Sequence, residues 1–589
     1  MEKLPHWSLK TIYPGLESAE FNADLKGIGL LAQELDSMLN GEVQDFSQWL
    51  KELLEKYQTL LDTGETLTSY AYAMLSVSTG DESALKGMSR VEEALLDLKG
   101  AHVKVLNALA HYNTEIEQIT QTGGDLAPFR FVLEELLDEQ KHTMSATEEA
   151  LAADLNRFGS DAFSRLQEAI ASQATAILDG QEKTVVELRP LAFAKERKVR
   201  ESAYKKELEI FKTHETAFAY ALNGVKGTTI SLAKRRGYPS ALAQSLKQAR
   251  ISEAVLATLI GTIEDYLPLF RRYLKAKAHA LGIEKLAFYD LFAPLGEALK
   301  KYTYQEGQTI IVDLFSKFHP PMGEFAQMAF DQEWIDSEPR EGKVGGAYCT
   351  SFPLRKETRV LANWDGSFDS LSTVAHELGH AYHDYVTKDL PALLRSYPMT
   401  LAETASIFSQ LLIFEGALKE SSADERVVLI EGFLQDATQT CVDILSRFYF
   451  EKEFFALRAK GDLTGQQINR IMEESQKRSY GDALDEEALH KYMWALKSHY
   501  YSSDLSFYNF PYAFGLLFGL GVYQQGQKRP EFAREYDELL LFSAQESAEK
   551  VAASASLDIT KSSFWEGSMA VIEKYVDEFC HLVGYEEEN

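Results

Sequence analysis

Residues 83–112, SALKGMSRVEEALLDLKGAHVKVLNALAHY, repeat apolar side chains at three- and four-residue spacing. Residues 251–281, ISEAVLATLIGTIEDYLPLFRRYLKAKAHAL, do the same. A helix with that period buries one continuous face, whereas a strand would scatter the same residues over both of its faces. Proline, which breaks such runs, occurs only 15 times in 589 residues. The chain is therefore expected to be mainly α-helical. Neither an internal repeat nor a low-complexity linker interrupts it. A boundary is expected near QEKTVVELRPLAFAKERKVRESAYKKE, which passes from a short β segment through Pro190 into a charged helix. That divides the chain into an N-terminal helical region, 1–185, and a larger catalytic region, 186–589.

One stretch departs from the helical period. After Pro320 and Pro321 comes a helix, then the polar turn DSEPREGK (336–343). Two short β-prone runs follow, VGGAYCTSFP (344–353) and TRVLANWDG (358–366). They predict a small sheet or hairpin leading into the next helix. Gly345 and Gly346 read either as a turn or bulge, or as room for another backbone, such as a bound peptide adding an edge strand.

That next helix carries TVAHELGHAYHDYV (373–386). His376 and His380 are four residues apart, so a helix stacks both imidazoles on one face, where they can share one Zn²⁺. Glu377 leans to one side of that ion. From there it can take a proton from a water and later return it to a leaving amine. This H-E-x-x-H arrangement arises by chance in roughly one chain in a hundred of this length. Its flanks Ala375, Leu378, Gly379 and Ala381 are uncharged, as in a buried helix. Gly379 weakens the helix by about 1 kcal/mol relative to Ala, which points to tight packing there. His383 continues the same stripe and is expected to be structural. A catalytic zinc needs a third protein ligand and an open position. In MTLAETASIFSQLLIFEGAL (399–418) the one acidic residue before Glu415 is Glu403, and an apolar helix packed beside the motif would deliver it.

The remaining features bound the setting. Lys and Arg number 60 against 89 Asp and Glu, a net charge of −29, which argues against a nucleic-acid partner. Cys349, Cys441 and Cys580 lie far apart with no C-x-x-C pair, as suits a reducing compartment. The N-terminal segment lacks an apolar signal core, and no run of about 18 apolar residues predicts a membrane span. A cytoplasmic enzyme is expected, of unknown oligomeric state.

H-E-L-G-H-A-Y-H, followed some twenty residues later by E-T-A-S-I-F, resembles the thimet-oligopeptidase family, in particular its bacterial oligoendopeptidase F branch. Further matching stretches are W-S-L-K-T-I-Y (7–13), A-K-R-R-G-Y-P-S-A-L (233–242), G-G-A-Y-C (345–349) and H-Y-Y-S-S-D-L-S-F-Y-N-F-P-Y-A-F-G (499–515). The resemblance implies a two-lobed α-helical zincin enclosing a deep channel that takes unstructured oligopeptides. One zinc per chain would be held by His376, His380 and Glu403, with Glu377 as base. The strand Gly345, Gly346, Ala347, Tyr348 would line the channel. Six of the 28 tyrosines fall within 492–523, marking that stretch as aromatic. Tyr508 and Tyr512 are one helical turn apart, with His499 just upstream. A neutral phenol or an imidazolium there would stabilise the oxyanion of peptide hydrolysis, the role the resemblance gives to His499, Tyr508 and Tyr512. Tyr500 and Tyr501 are expected to pack.

Two departures from the family pattern stand out. Gln410 occupies the place of a glutamate that supports a zinc-ligating histidine. Phe510 replaces a tyrosine common in this branch. The expected activity is a zinc endopeptidase. An exopeptidase on the same scaffold, and a peptide-binding protein without turnover, remain open.

Overall fold

Helices start where the sequence supplies caps. Asp45 accepts from the Gln48 N–H ahead of helix Phe46–Ser76, and Ser145 forms a capping box with Glu148. The computed structural model, which describes residues 3–296, 300–527, 529 and 532–586, is mainly α-helical with two small sheets.

The first periodic run forms one helix, Glu82–Ala110, which packs with Ala19–Leu39 and Phe46–Ser76 around a core of Ile28, Leu50, Leu53, Tyr57, Leu67 and Val91. The second run is split into Glu253–Asp265 and Leu267–Ala280. Pro268 falls in the first turn of the second piece, where its missing N–H costs nothing, and this starts a new helix. Strands β1 (Thr175–Leu178) and β2 (Gln181–Thr184) form a hairpin turned by Asp179 and Gly180, both at positive φ. Pro190 then lies in a 3₁₀ turn before the long helix Arg197–Arg235.

The predicted hairpin at 344–366 is present. Strand β4 (Tyr348–Phe352) pairs antiparallel with β5 (Glu357–Leu361), and a two-residue β3 (Ile335–Asp336) joins β5 in parallel on its other side. The order β3-β5-β4 leaves β4 as an edge strand. Both β4 and β5 pack on helix Phe368–Thr387, which carries the H-E-x-x-H motif.

The chain forms two compact units, each assembled from three segments. One comprises Met1–Lys141, Leu299–Lys419 and Gln525–Leu557. The other comprises His142–Ala298, Glu420–Gln524 and Asp558–Asn589. These units differ from a linear division at 185, because long-range packing, not sequence order, decides which segments share a core. One further difference concerns helix Met399–Glu420, whose mean hydropathy of 1.2 and length would suit a membrane span. Composition alone cannot separate such a span from a core helix. Here 56% of its apolar window is buried in the protein, and it carries Glu403 and Gln410.

Candidate active site

Helix Phe368–Thr387 begins at Ser367, whose Oγ accepts from the Ser370 N–H at 3.1 Å. Its Leu371, Val374, Ala375, Leu378 and Ala381 are 0–1% exposed and fix its rotation. His376 and His380 therefore come out together, with ring centroids 4.9 Å apart. Helix Met399–Glu420 crosses it at Gly379. A Cβ there would lie 2.5 Å from the Ala405 carbonyl oxygen, 2.6 Å from Ser409 Oγ and 2.7 Å from Ser406 Cα. Only a glycine permits that approach, and the approach is what brings Glu403 to the histidines.

Glu403 Oε2 lies 3.3 Å from His376 Nε2 and 3.5 Å from His380 Nε2. Bonds of about 2.0–2.1 Å at tetrahedral angles give a ligand–ligand edge of about 3.3–3.4 Å, so this donor set fits a zinc ion. The support is also in place. His376 Nδ1 donates to Gln410 Oε1 at 2.8 Å, which leaves Nε2 as the ligand atom. His380 bonds the Ala402 carbonyl. Ser406 Oγ donates to Glu403 Oε2 at 2.7 Å. Gln410 thus fills the supporting place with a neutral acceptor, and its amide nitrogen donates to Ser372 Oγ at 3.3 Å.

The protonation states of His380 and Glu403 suit a metal site. Burial, followed by repulsion from His376, pulls His380 down to about 4 and keeps it neutral. Burial opposes ionisation of Glu403, yet the two histidines and Ser406 hold it down to about 2. Burial would lower His376 as well, but Glu403, Glu377 and Gln410 outweigh it and raise it. Glu377 is 7% exposed, and burial, with repulsion from Glu403, pushes it up to about 7. His376 and the Cys349 N–H pull the other way. A carboxyl poised near neutrality can accept and return a proton.

His376, Glu377, His380 and Glu403 open together onto a cavity of about 380 Å³. Ala347, Tyr348, Cys349, Asp384 and Tyr397 complete its lining. A second cavity of about 520 Å³ shares Ala347, His376 and Glu377, and a third of about 420 Å³ shares Cys349, Asp384 and Tyr397. The segment 346–351 runs past the three in turn, with Gly346 and Ala347 on the second, Ala347, Tyr348 and Cys349 on the first, and Cys349, Thr350 and Ser351 on the third. Since the Cys349 N–H faces Glu377, the pleat turns the backbone groups of Ala347, Cys349 and Ser351 away from β5.

The glycines differ from the expected edge strand. Both precede β4, and Gly346 turns at φ +77 with its carbonyl taken by Asn363 Nδ2 at 2.9 Å. Gly345 lines none of the three cavities. The Tyr348 hydroxyl is paired with Ser76 Oγ at 2.6 Å. His383 is structural as expected. It is fully buried, stacks on Tyr397 at 4.0 Å and bonds Ser543 Oγ at 2.8 Å. Sequence reasoning missed Asp384, although it continues the His380 face at i+4. It also missed Ser406, one turn beyond Glu403.

His499, Tyr508 and Tyr512 form a cluster in the second unit. The two phenolic oxygens are 2.9 Å apart, and the His499 and Tyr508 rings are 5.4 Å apart. Tyr508 sits in the turn before helix Phe510–Gly526, not on it. His499 is not an imidazolium. Burial, then Arg447, Lys497 and Lys226, bring it down to about 3. Tyr500, Tyr501 and Phe510 are buried packing residues.

Comparison with known proteins identifies the family. A family model described as peptidase family M3 matches residues 190–571, and one described as oligopeptidase F matches 109–174. An oligoendopeptidase F homolog of Lactococcus lactis subsp. lactis (strain IL1403) is 27% identical, covering 99% of this chain and 98% of the relative. Oligopeptidase PepF of Bacillus subtilis (strain 168) is 25% identical over 98% of this chain and 87% of its own length. The crystal structure of oligoendopeptidase-F from Enterococcus faecium, 20% identical, superposes with a TM-score of 0.71 over 96% of this chain and 99% of that one, a likeness of fold. With about two thirds of its length matched by the first of these family models, the chain belongs to peptidase family M3.

Proposed function

We propose that the protein is a zinc-dependent endopeptidase that cleaves internal bonds of short, unstructured oligopeptides. The observation that carries this reading is the His376–His380–Glu403 triad. Its ligand atoms are spaced as a tetrahedral ion requires, and it opens with Glu377 onto one cavity. One zinc per chain would be held by those three side chains and would act as a Lewis acid toward the scissile carbonyl and the attacking water. Glu377 takes the proton of that water and delivers it to the departing amine nitrogen. The outward-facing backbone of Ala347 and the Cys349 carbonyl align the peptide as an added strand, with the Cys349 N–H held by Glu377 and Gly346 shaping the turn before it. His499 and the Tyr508–Tyr512 pair, in which one phenol donates to the other and leaves one free O–H, stabilise the developing oxyanion by hydrogen bonding. The names of the oligoendopeptidase relatives favour internal cleavage over an exopeptidase, and the complete triad favours turnover over binding alone.

Glu377→Gln tests the mechanism. Metal content should equal that of the parent while peptide cleavage collapses. Retained cleavage would remove Glu377 from the reaction.

A further inference from the structure

The arrangement around His499 contains an orienting chain that the proposed reaction does not by itself require. Asp443 closes a π-helical turn, Gln439–Asp443, a kind of irregularity found often at functional sites. Its carboxylate is 2% exposed. It accepts from Gln439 Nε2 at 2.6 Å and from the Tyr480 hydroxyl at 3.3 Å, and pairs with Arg447 Nη2 at 2.5 Å. Arg447 Nη1 donates to Asn509 Oδ1 at 3.1 Å. The other end of the Asn509 amide, Nδ2, lies 2.8 Å from His499 Nε2.

The order of donors follows from chemistry. Arg447 can only donate, so the Asn509 atom that faces it is the carbonyl oxygen. The amide nitrogen must then face His499 and donate to Nε2. An imidazole nitrogen that accepts is unprotonated, so the ring proton is on Nδ1. Nδ1 has no partner among the described residues. Asn509 itself is 4% exposed, so water does not compete for its amide.

We propose that Asn509, oriented by the Asp443–Arg447 pair, is a positioning residue that fixes His499 as the neutral Nδ1–H tautomer, so that it presents one N–H donor to the reaction. This rests on the role given to His499 above. The groups around the ring agree: Arg447, and Lys497 and Lys226 when charged, each disfavour a second proton.

Side-chain ¹⁵N NMR of the full-length, zinc-loaded protein reads the tautomer directly, with His499→Gln identifying the signals. At pH 7 Nε2 should be of the unprotonated type and Nδ1 of the protonated type, with no titration down to pH 5. Asn509→Asp replaces the donor by an acceptor. Its Nε2 should become protonated and kcat should fall about a hundredfold, the cost of losing one oxyanion donor, while KM changes little. An Nε2-protonated ring in the parent, or a ring titrating near its ordinary value, overturns the proposal without reference to kinetics. So does an Asn509→Asp ring unchanged from the parent. If His499→Gln keeps full kcat, the oxyanion role fails instead, and the NMR still decides the tautomer.

Discussion

Gly379→Ala isolates the contact on which the metal triad depends. Its Cβ would sit 2.5–2.7 Å from the Ala405 carbonyl oxygen and Ser406 Cα, whereas ordinary contact begins near 3.4 Å. Both atoms are backbone, so relief requires the two helices to separate by about 0.7–0.9 Å, against a tolerance of about 0.2 Å in metal–ligand distances. Glu403, one turn from Ser406, would leave the histidines with that movement. Loss of a supporting partner alone costs 10–100-fold in metal affinity. Loss of a direct ligand should therefore weaken zinc binding by at least about a hundredfold, or about 2.7 kcal/mol. The fold should survive, because overpacking costs about 1–3 kcal/mol while replacing helical Gly by Ala returns about 1 kcal/mol. Chelator competition gives the affinity and thermal unfolding of the metal-free protein gives the stability. A folded Gly379→Ala protein that binds zinc like the parent would refute this account of how the helices meet.

Three further outcomes are expected. Gln410→Glu gives the His376 Nδ1 proton a charged acceptor and should tighten zinc binding about 10–100-fold in the same titration; equal affinities would contradict it. Glu207 is buried between Arg189 (2.8 Å) and His490 (3.2 Å), and although burial opposes its ionisation, these partners lower it to about 2. Its folded value lies below the ordinary 4.5, so its stabilisation is full above that value and is lost as pH falls toward 2. Denaturant unfolding should show the parent losing about 3 kcal/mol over that window relative to Glu207→Gln, and parallel pH profiles would contradict the pairing. Internally quenched peptides blocked at both ends should be cleaved; cleavage only of peptides with a free terminus would indicate an exopeptidase.

Much of the metal site is legible in the chain because its signals are local. The spacing of His376 and His380 needs only a helix, and Glu403 stands out as a lone carboxylate in an apolar run. Gly379 announces close packing but not its partner, since Ala405 and Ser406 lie on another helix. The hairpin at 344–366 follows from β-prone runs, whereas the two residues of β3 are too short to carry a period. The units interleave distant segments, which no local pattern encodes. Asn509 was invisible for the same reason. Its meaning comes from Arg447, 62 positions away in the chain.

The most direct test is anomalous diffraction at the zinc edge from crystals of the zinc-loaded protein. One peak per chain is expected, within about 2.0–2.2 Å of His376 Nε2, His380 Nε2 and a Glu403 oxygen, with no fourth protein ligand. A peak elsewhere, or a fourth side chain closing the coordination sphere, would contradict the account.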